Sequence, residues 1–143
     1  MATRLTRALL FAASSGIIAF GPFGAQAQEI VWRSCLPNEK RITCVVDGDT
    51  LWYQGTKIRL IGIDAPEVSG KCRRERRLAA QATDHLTALL NIGLRRIAFD
   101  GEDRYGRALA RLWVTDGEVG PAMIAAGLAE HYGSGGAAPW CRG

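Results

Sequence analysis

Four carboxylates, Asp47, Asp49, Asp64 and Glu67, fall within one short stretch of a 143-residue chain that carries 14 acids in all. Two carboxylates held together repel, and each disfavours ionisation of the other. A hard divalent cation removes that penalty, and calcium accepts carboxylate and carbonyl oxygens without help from His or Cys. Neither His85 nor His131 lies in this stretch, which argues against zinc or copper. Arg59 lies inside the stretch and Arg107 further along, and a guanidinium group pairs bidentately with phosphate oxygens. A cation, a spare carboxylate and two arginines can hydrolyse a phosphodiester. On composition alone the same residues also read as ordinary ion pairing in a turn-rich hairpin.

To meet, these residues must be carried on paired strands. Arg41 to Tyr53 contains alternating and β-branched residues, interrupted by Asp47-Gly48-Asp49, and Gln54-Gly55 signals a turn. Thr56 to Ile63 reads as the returning strand, ended by Pro66. Arg59 and Asp64 are an odd number of positions apart, so an unbroken strand would point them to opposite faces. A bulge or early strand end near Gly62 would bring them together. Ile30 to Trp32 reads as a further short strand. Arg73 to Leu90 is expected to be helical, with Leu78, Ala82, Leu86 and Leu89 on its apolar side and Asn91-Ile92-Gly93 as its stop. Strands are expected at Arg95–Phe99 and Ala108–Val114, and a short helix from Pro121 to near Gly127. Short strands in hairpin order with inserted helices suggest an α+β domain, a small closed barrel with helices packed on it.

The composition is 48% hydrophobic and 22% charged, which excludes a disordered chain, a collagen-like repeat and a long coiled coil. The formal charge of +4 hints at an anionic partner without naming one. Residues 1–27 read as a secretory signal peptide: Arg4 and Arg7, then apolar Ala8 to Phe20, then Ala25-Gln26-Ala27 as the cleavage site. An uncleaved anchor is the alternative. Cleavage would leave a single domain over residues 28–143, with 133–143 as a C-terminal tail, exported to the periplasm or medium and not associated with a membrane. It would also remove two of the positive charges, so local charge matters more than the total. Cys35, Cys44, Cys72 and Cys141 form an even set in a chain that looks exported, which favours two disulfides over free thiols. Three pairings are possible; Cys35–Cys44 and Cys72–Cys141 are expected, the first across Pro37-Asn38 and the second tying the tail to the main motif.

Three blocks then stand out in order: Val46-Asp47-Gly48-Asp49-Thr50, Arg59-Leu60-Ile61-Gly62-Ile63-Asp64-Ala65-Pro66-Glu67, and Asp103-Arg104-Tyr105-Gly106-Arg107. Together they resemble the staphylococcal nuclease (thermonuclease) family, over about Thr43 to Tyr132, and Gly127-Leu128-Ala129 also fits. The resemblance implies an OB-type five-stranded barrel with three helices. It implies calcium-dependent cleavage of DNA and RNA at the 5′ P–O bond, leaving 3′-phosphates. A monomer is expected. Asp49, Asp64 and the backbone carbonyl of Ala65 would be calcium ligands, with Asp47 just outside them. Glu67 would orient or deprotonate the attacking water, and Arg59 and Arg107 would hold the phosphate. Arg104 and Tyr105 match the nucleotide pocket, and Tyr132 a further aromatic wall. Ala65 replaces the Thr of the best-known member, and the segment from Asp116 to Gly127 looks one residue short.

Lys71, Arg73, Arg74, Arg76 and Arg77 form a basic cluster where the long helix begins, unfavourable for the helix dipole. It reads either as a landing surface for a nucleic-acid backbone or as a solvated face with Glu75 as partner. Trp52, Tyr53 and Trp113 read as barrel wall rather than base-stacking platforms, and His85 as a helix-face residue. Two rivals to the nuclease remain: a non-catalytic OB-type module that binds nucleic acid, and a structural protein stabilised by calcium. The binding module would not need Asp49, Asp64, Glu67, Arg59 and Arg107 all together.

Overall fold

The computed structural model describes residues 29–134 and 139–142. The expected signal peptide and part of the tail lie outside the described residues. In chain order the elements are β1 (Cys44–Val45), β2 (Thr50–Tyr53), β3 (Thr56–Leu60), β4 (Ile63–Asp64), α1 (Arg73–Gly93), β5 (Leu94–Glu102), β6 (Ala108–Val114), β7 (Gly117–Glu118), α2 (Val119–Ala125) and β8 (Glu130–His131), with a 3-10 turn at Pro139–Cys141. The main sheet runs β1-β2-β3-β6-β5, with β7 beside β6, and β4 pairs separately with β8. This is the expected α+β, OB-type arrangement, with five strands along the main path. Among the described residues two α-helices and one 3-10 turn stand in place of three helices.

The β2–β3 hairpin turns where expected. Gln54 and Gly55 both have positive φ, 49° and 83°, the turn whose twist matches the flanking strands. β3 then pairs in parallel with β6, Arg59 opposite Leu109. α1 lays Ala82, Leu86 and Leu90 over Val45, Leu51, Ile58, Ala110 and Leu112. Each fully buried Leu or Ile contributes roughly 1.5–3 kcal/mol. The buried stripe is rotated from the expected one: Leu78 and Leu89 are only half-buried, and Glu75 and Thr83 lie on the inner side.

Several boundaries differ for local reasons. Ile30 to Trp32 is not a strand. The Trp32 N–H donates to Asn91 Oδ1 (2.8 Å) and Asn91 Nδ2 donates back to the Trp32 carbonyl (3.0 Å), so a side-chain amide replaces a strand neighbour. β5 continues past Phe99 to Glu102 because its register shifts there. α2 starts at Val119, which places Pro121 in the first turn, where an N–H has no intrahelical partner. Its end is a left-handed glycine cap: Gly127 has φ 70°, and the Leu128 N–H reaches the Met123 carbonyl at 3.1 Å. Trp113 lies half-buried under the guanidinium of Arg96, 4.0 Å from its ring centre, and Tyr53 stacks on buried Trp32. The disulfides are Cys35–Cys44 and Cys72–Cys141, the expected pairing. No helix among the described residues is long and apolar enough to cross a membrane.

Gly48 fixes how closely the acidic loop approaches α1. A Cβ there would lie 2.6 Å from Ala82 Cβ and 2.8 Å from Ala65 Cβ, both on backbone that cannot swing aside. Gly48→Ala should therefore lower the unfolding free energy by about 1–3 kcal/mol, the usual cost of overpacking. Urea denaturation monitored by tryptophan fluorescence measures it; an unchanged midpoint would mean that the loop has slack against the helix.

Candidate active site

The break between β3 and β4 assembles the site. β3 ends at Leu60, Gly62 turns the chain at φ 81°, and β4 begins at Ile63. This kink brings Arg59 and Asp64 to the same side, as the pleat parity requires. An Arg59 Nη2 hydrogen donates to Asp64 Oδ1 (3.0 Å) and to the Ile63 carbonyl (3.3 Å), while Arg59 Nη1 pairs with Asp49 Oδ2. Asp49 enters from the loop before β2, where its carbonyl accepts the Leu60 N–H at 2.8 Å. Thr50 Oγ1 donates to Asp49 Oδ1 (2.8 Å), and the Ala65 N–H donates to Asp49 Oδ2 (2.9 Å). Asp49, Arg59, Asp64 and Ala65 thus form one connected group drawn from three segments.

Asp47 lies behind Asp49. It is buried, and its Oδ1 accepts the Asp49 N–H at 3.2 Å. Burial, reinforced by the Asp49 charge, pushes its carboxyl up to about 7. Glu67 projects from the following loop with its side chain accessible, yet partial desolvation and the charges of Asp49 and Asp64 push it up as well, against the pull of Arg59 and Arg107. A carboxyl raised in the folded state contributes stability that is fully present below its unfolded value and lost as pH climbs through about 7. Asp47→Asn, which keeps the acceptor for the Asp49 N–H, should stabilise the protein in chelator at pH 8 by on the order of 2 kcal/mol. The gain should vanish near pH 4. Paired denaturant titrations measure it; equal effects at both pH values would contradict a buried, strained charge.

The loop before β6 supplies the opposite wall. Asp103 organises it, a role the sequence reading left unassigned although an Asp three residues before a Gly signals such a turn. Its Oδ1 accepts the N–H groups of Tyr105 (2.8 Å) and Arg107 (3.0 Å), and its Oδ2 accepts Arg107 Nε–H (2.7 Å). Desolvation raises Asp103, but these bonds outweigh it and hold the carboxyl below its ordinary range. Arg107 therefore rests on Asp103 rather than on the acids of the site, close enough to Glu67 to lower it. Arg59, Gly62, Arg104, Tyr105, Arg107 and Tyr132 line an open cleft of about 620 Å³. Tyr105 and Tyr132 are exposed at its rim, and the Tyr132 N–H is anchored on the Gly62 carbonyl (2.9 Å).

A family model described as staphylococcal nuclease homologue matches residues 57–138, more than half of the chain. The chain belongs to the staphylococcal nuclease family. Among its relatives, a protein of Escherichia coli O157:H7 named "uncharacterized endonuclease" is 31% identical over 103 residues, covering 68% of this chain and 63% of that protein. A thermonuclease of Staphylococcus intermedius is 30% identical over 115 residues, covering 76% of this chain and 66% of its own. The succinoglycan biosynthesis protein ExoI of Rhizobium meliloti is 35% identical over 79 residues, covering 52% and 41%. The chain spans less than two thirds of the length of the first of these relatives.

In this member of the staphylococcal nuclease family the donor set fits a hard cation. Asp49 and Asp64 pair with Arg59, Asp47 and Glu67 near them are pushed up, and every side-chain donor is oxygen. Arg59 stands between Asp49 and Asp64 and offsets part of their charge. The tightest three-donor group among the described residues lies elsewhere, at Cys72, Glu75 and Cys141, whose donor atoms fall within 4.8 Å of one another. Both of its sulfurs are committed to the disulfide.

Proposed function

We propose that this chain is an exported calcium-dependent nuclease that hydrolyses phosphodiester bonds of DNA, RNA or both. The observation that carries the reading is the Arg59 guanidinium bridging Asp49 and Asp64 at the mouth of a cleft whose other wall holds Arg107. Membership of the staphylococcal nuclease family supports it, as do relatives named endonuclease and thermonuclease. The two disulfides are compatible with export.

Asp49, Asp64 and the Ala65 carbonyl would hold the ion, with Asp47 behind them. When bound, it would supply positive charge against the phosphate and the charge that develops on it. Arg59 and Arg107 donate hydrogen bonds to the non-bridging oxygens, and these strengthen as charge builds in the transition state. Glu67 orients a water in line with the leaving oxygen and takes its proton as the water oxygen bonds to phosphorus. The upward shift of Glu67, caused by partial desolvation and the charges of Asp49 and Asp64, makes it a stronger base. The P–O5′ bond breaks, leaving a 3′-phosphate and, once protonated, a 5′-hydroxyl. Arg104, Tyr105 and Tyr132 receive the nucleoside.

Plasmid DNA and a structured RNA incubated with calcium, and with chelator, test this. Cleavage to 3′-phosphate ends with calcium, abolished by chelator, is expected. Intact nucleic acid with calcium present would overturn the reading.

A further inference from the structure

We propose that the N-terminal face of α1 is a second nucleic-acid contact, holding the phosphodiester backbone beside the cleft through Lys71, Arg73 and Arg77. The inference rests on the nuclease reading and adds to it a surface that no part of the catalytic group uses. Five cations fall within seven residues there, against the helix dipole. The acid among them does not neutralise them. Glu75 is buried, and its Oε2 accepts the Lys71 N–H at 2.8 Å instead of an arginine.

Two of the arginines are engaged internally. Arg74 Nη1 donates to the carbonyls of Trp140 (3.1 Å) and Arg142, and Arg76 Nη1 donates to the Gly70 carbonyl (2.8 Å). The side chains of Lys71, Arg73 and Arg77 are exposed and have no acid partner among the described residues. A surface that keeps three unpaired cations at an unfavourable helix end is suited to a polyanion.

Its location favours nucleic acid over an anionic membrane. Lys71 is four residues past Glu67, and the intervening loop is closed by the Gly70 N–H on the Glu67 carbonyl (2.9 Å). The basic face therefore begins one short turn after Glu67 in the chain. No large apolar side chain is exposed between Lys71 and Arg77 to insert into lipid. The Cys72–Cys141 disulfide and the Arg74 bonds fix the face in place, so little ordering is needed on binding.

The experiment is the salt dependence of binding of a fluorescein-labelled 20-base-pair duplex to the full chain in chelator, followed by anisotropy. Each backbone contact contributes about 0.9 to the log–log slope, so Lys71→Gln/Arg73→Gln/Arg77→Gln should lower the slope by about 2–3 and weaken binding roughly 10- to 100-fold near 0.1 M salt. The Arg73→Lys/Arg77→Lys variant should keep the wild-type slope. The Gln variant should melt a few degrees higher, since it relieves repulsion at the helix end. A wild-type slope in a folded Gln variant would overturn the proposal. So would loss of binding to vesicles of 30% phosphatidylserine with DNA binding retained, which would assign the face to lipid. If wild type cleaves DNA but the slopes coincide, only this surface fails; if wild type neither binds nor cleaves, the nuclease reading fails with it.

Discussion

Glu67→Gln is expected to lower kcat by 10²- to 10⁴-fold, equivalent to about 3–5 kcal/mol of transition-state stabilisation. The substitution keeps shape and polarity and removes only the ability to take a proton. Its side chain is exposed, so the fold should lose almost nothing. In chelator the variant should be slightly more stable, because an acid raised by partial burial and by Asp49 and Asp64 has been neutralised. Steady-state kinetics on a defined oligonucleotide, with calcium affinity measured by calorimetry, separate the two roles open to Glu67. Intact calcium affinity with a collapsed kcat assigns it to the water. Equal kcat in both proteins would remove it from the chemistry, and a collapsed affinity would make it a ligand.

The second large effect is on stability. Cys72–Cys141 closes a separation of 69 residues, and the chain-entropy model gives about 4 kcal/mol for such a loop. For a domain of this size that corresponds to a melting-temperature loss of roughly 15–20 °C in Cys72→Ser/Cys141→Ser. Cys35–Cys44 closes only 9 positions, and its removal should cost nearer 3 kcal/mol on the same model. Cys72 also serves as the N-cap of α1, its sulfur accepting the Glu75 N–H at 3.4 Å. The serine variant keeps an acceptor there, so the measured loss reports the cross-link. Thermal denaturation of the two double variants checks the ranking; a larger loss at Cys35–Cys44 would contradict it.

Much of the site was legible because its geometry is local. The parity conflict between Arg59 and Asp64 pointed to a break at Gly62, and the chain turns there. The Gln54-Gly55 turn and the Ala108–Val114 strand carry strong short-range signals and lie where expected. What the sequence hid depends on which of several available partners a group takes. Trp32 resembles a strand residue, but Asn91 captures its backbone 59 positions away. Glu75 looks like the partner of four arginines, yet it turns inward to the Lys71 N–H. The tilt of the α1 apolar stripe follows from packing against the barrel, which periodicity alone does not set. Arg107 resting on Asp103 was also beyond sequence reasoning, because either acid group could have claimed it.

The central claim is that Asp49, Asp64 and the Ala65 carbonyl hold one hard cation next to Glu67 and the two arginines. Crystals soaked in calcium with a 3′,5′-bisphosphorylated thymidine, measured for anomalous scattering, test it most directly. One calcium peak bridging Asp49 and Asp64, with a phosphate gripped by Arg59 and Arg107, is the expected result. An active protein with its calcium bound away from both aspartates would contradict the account.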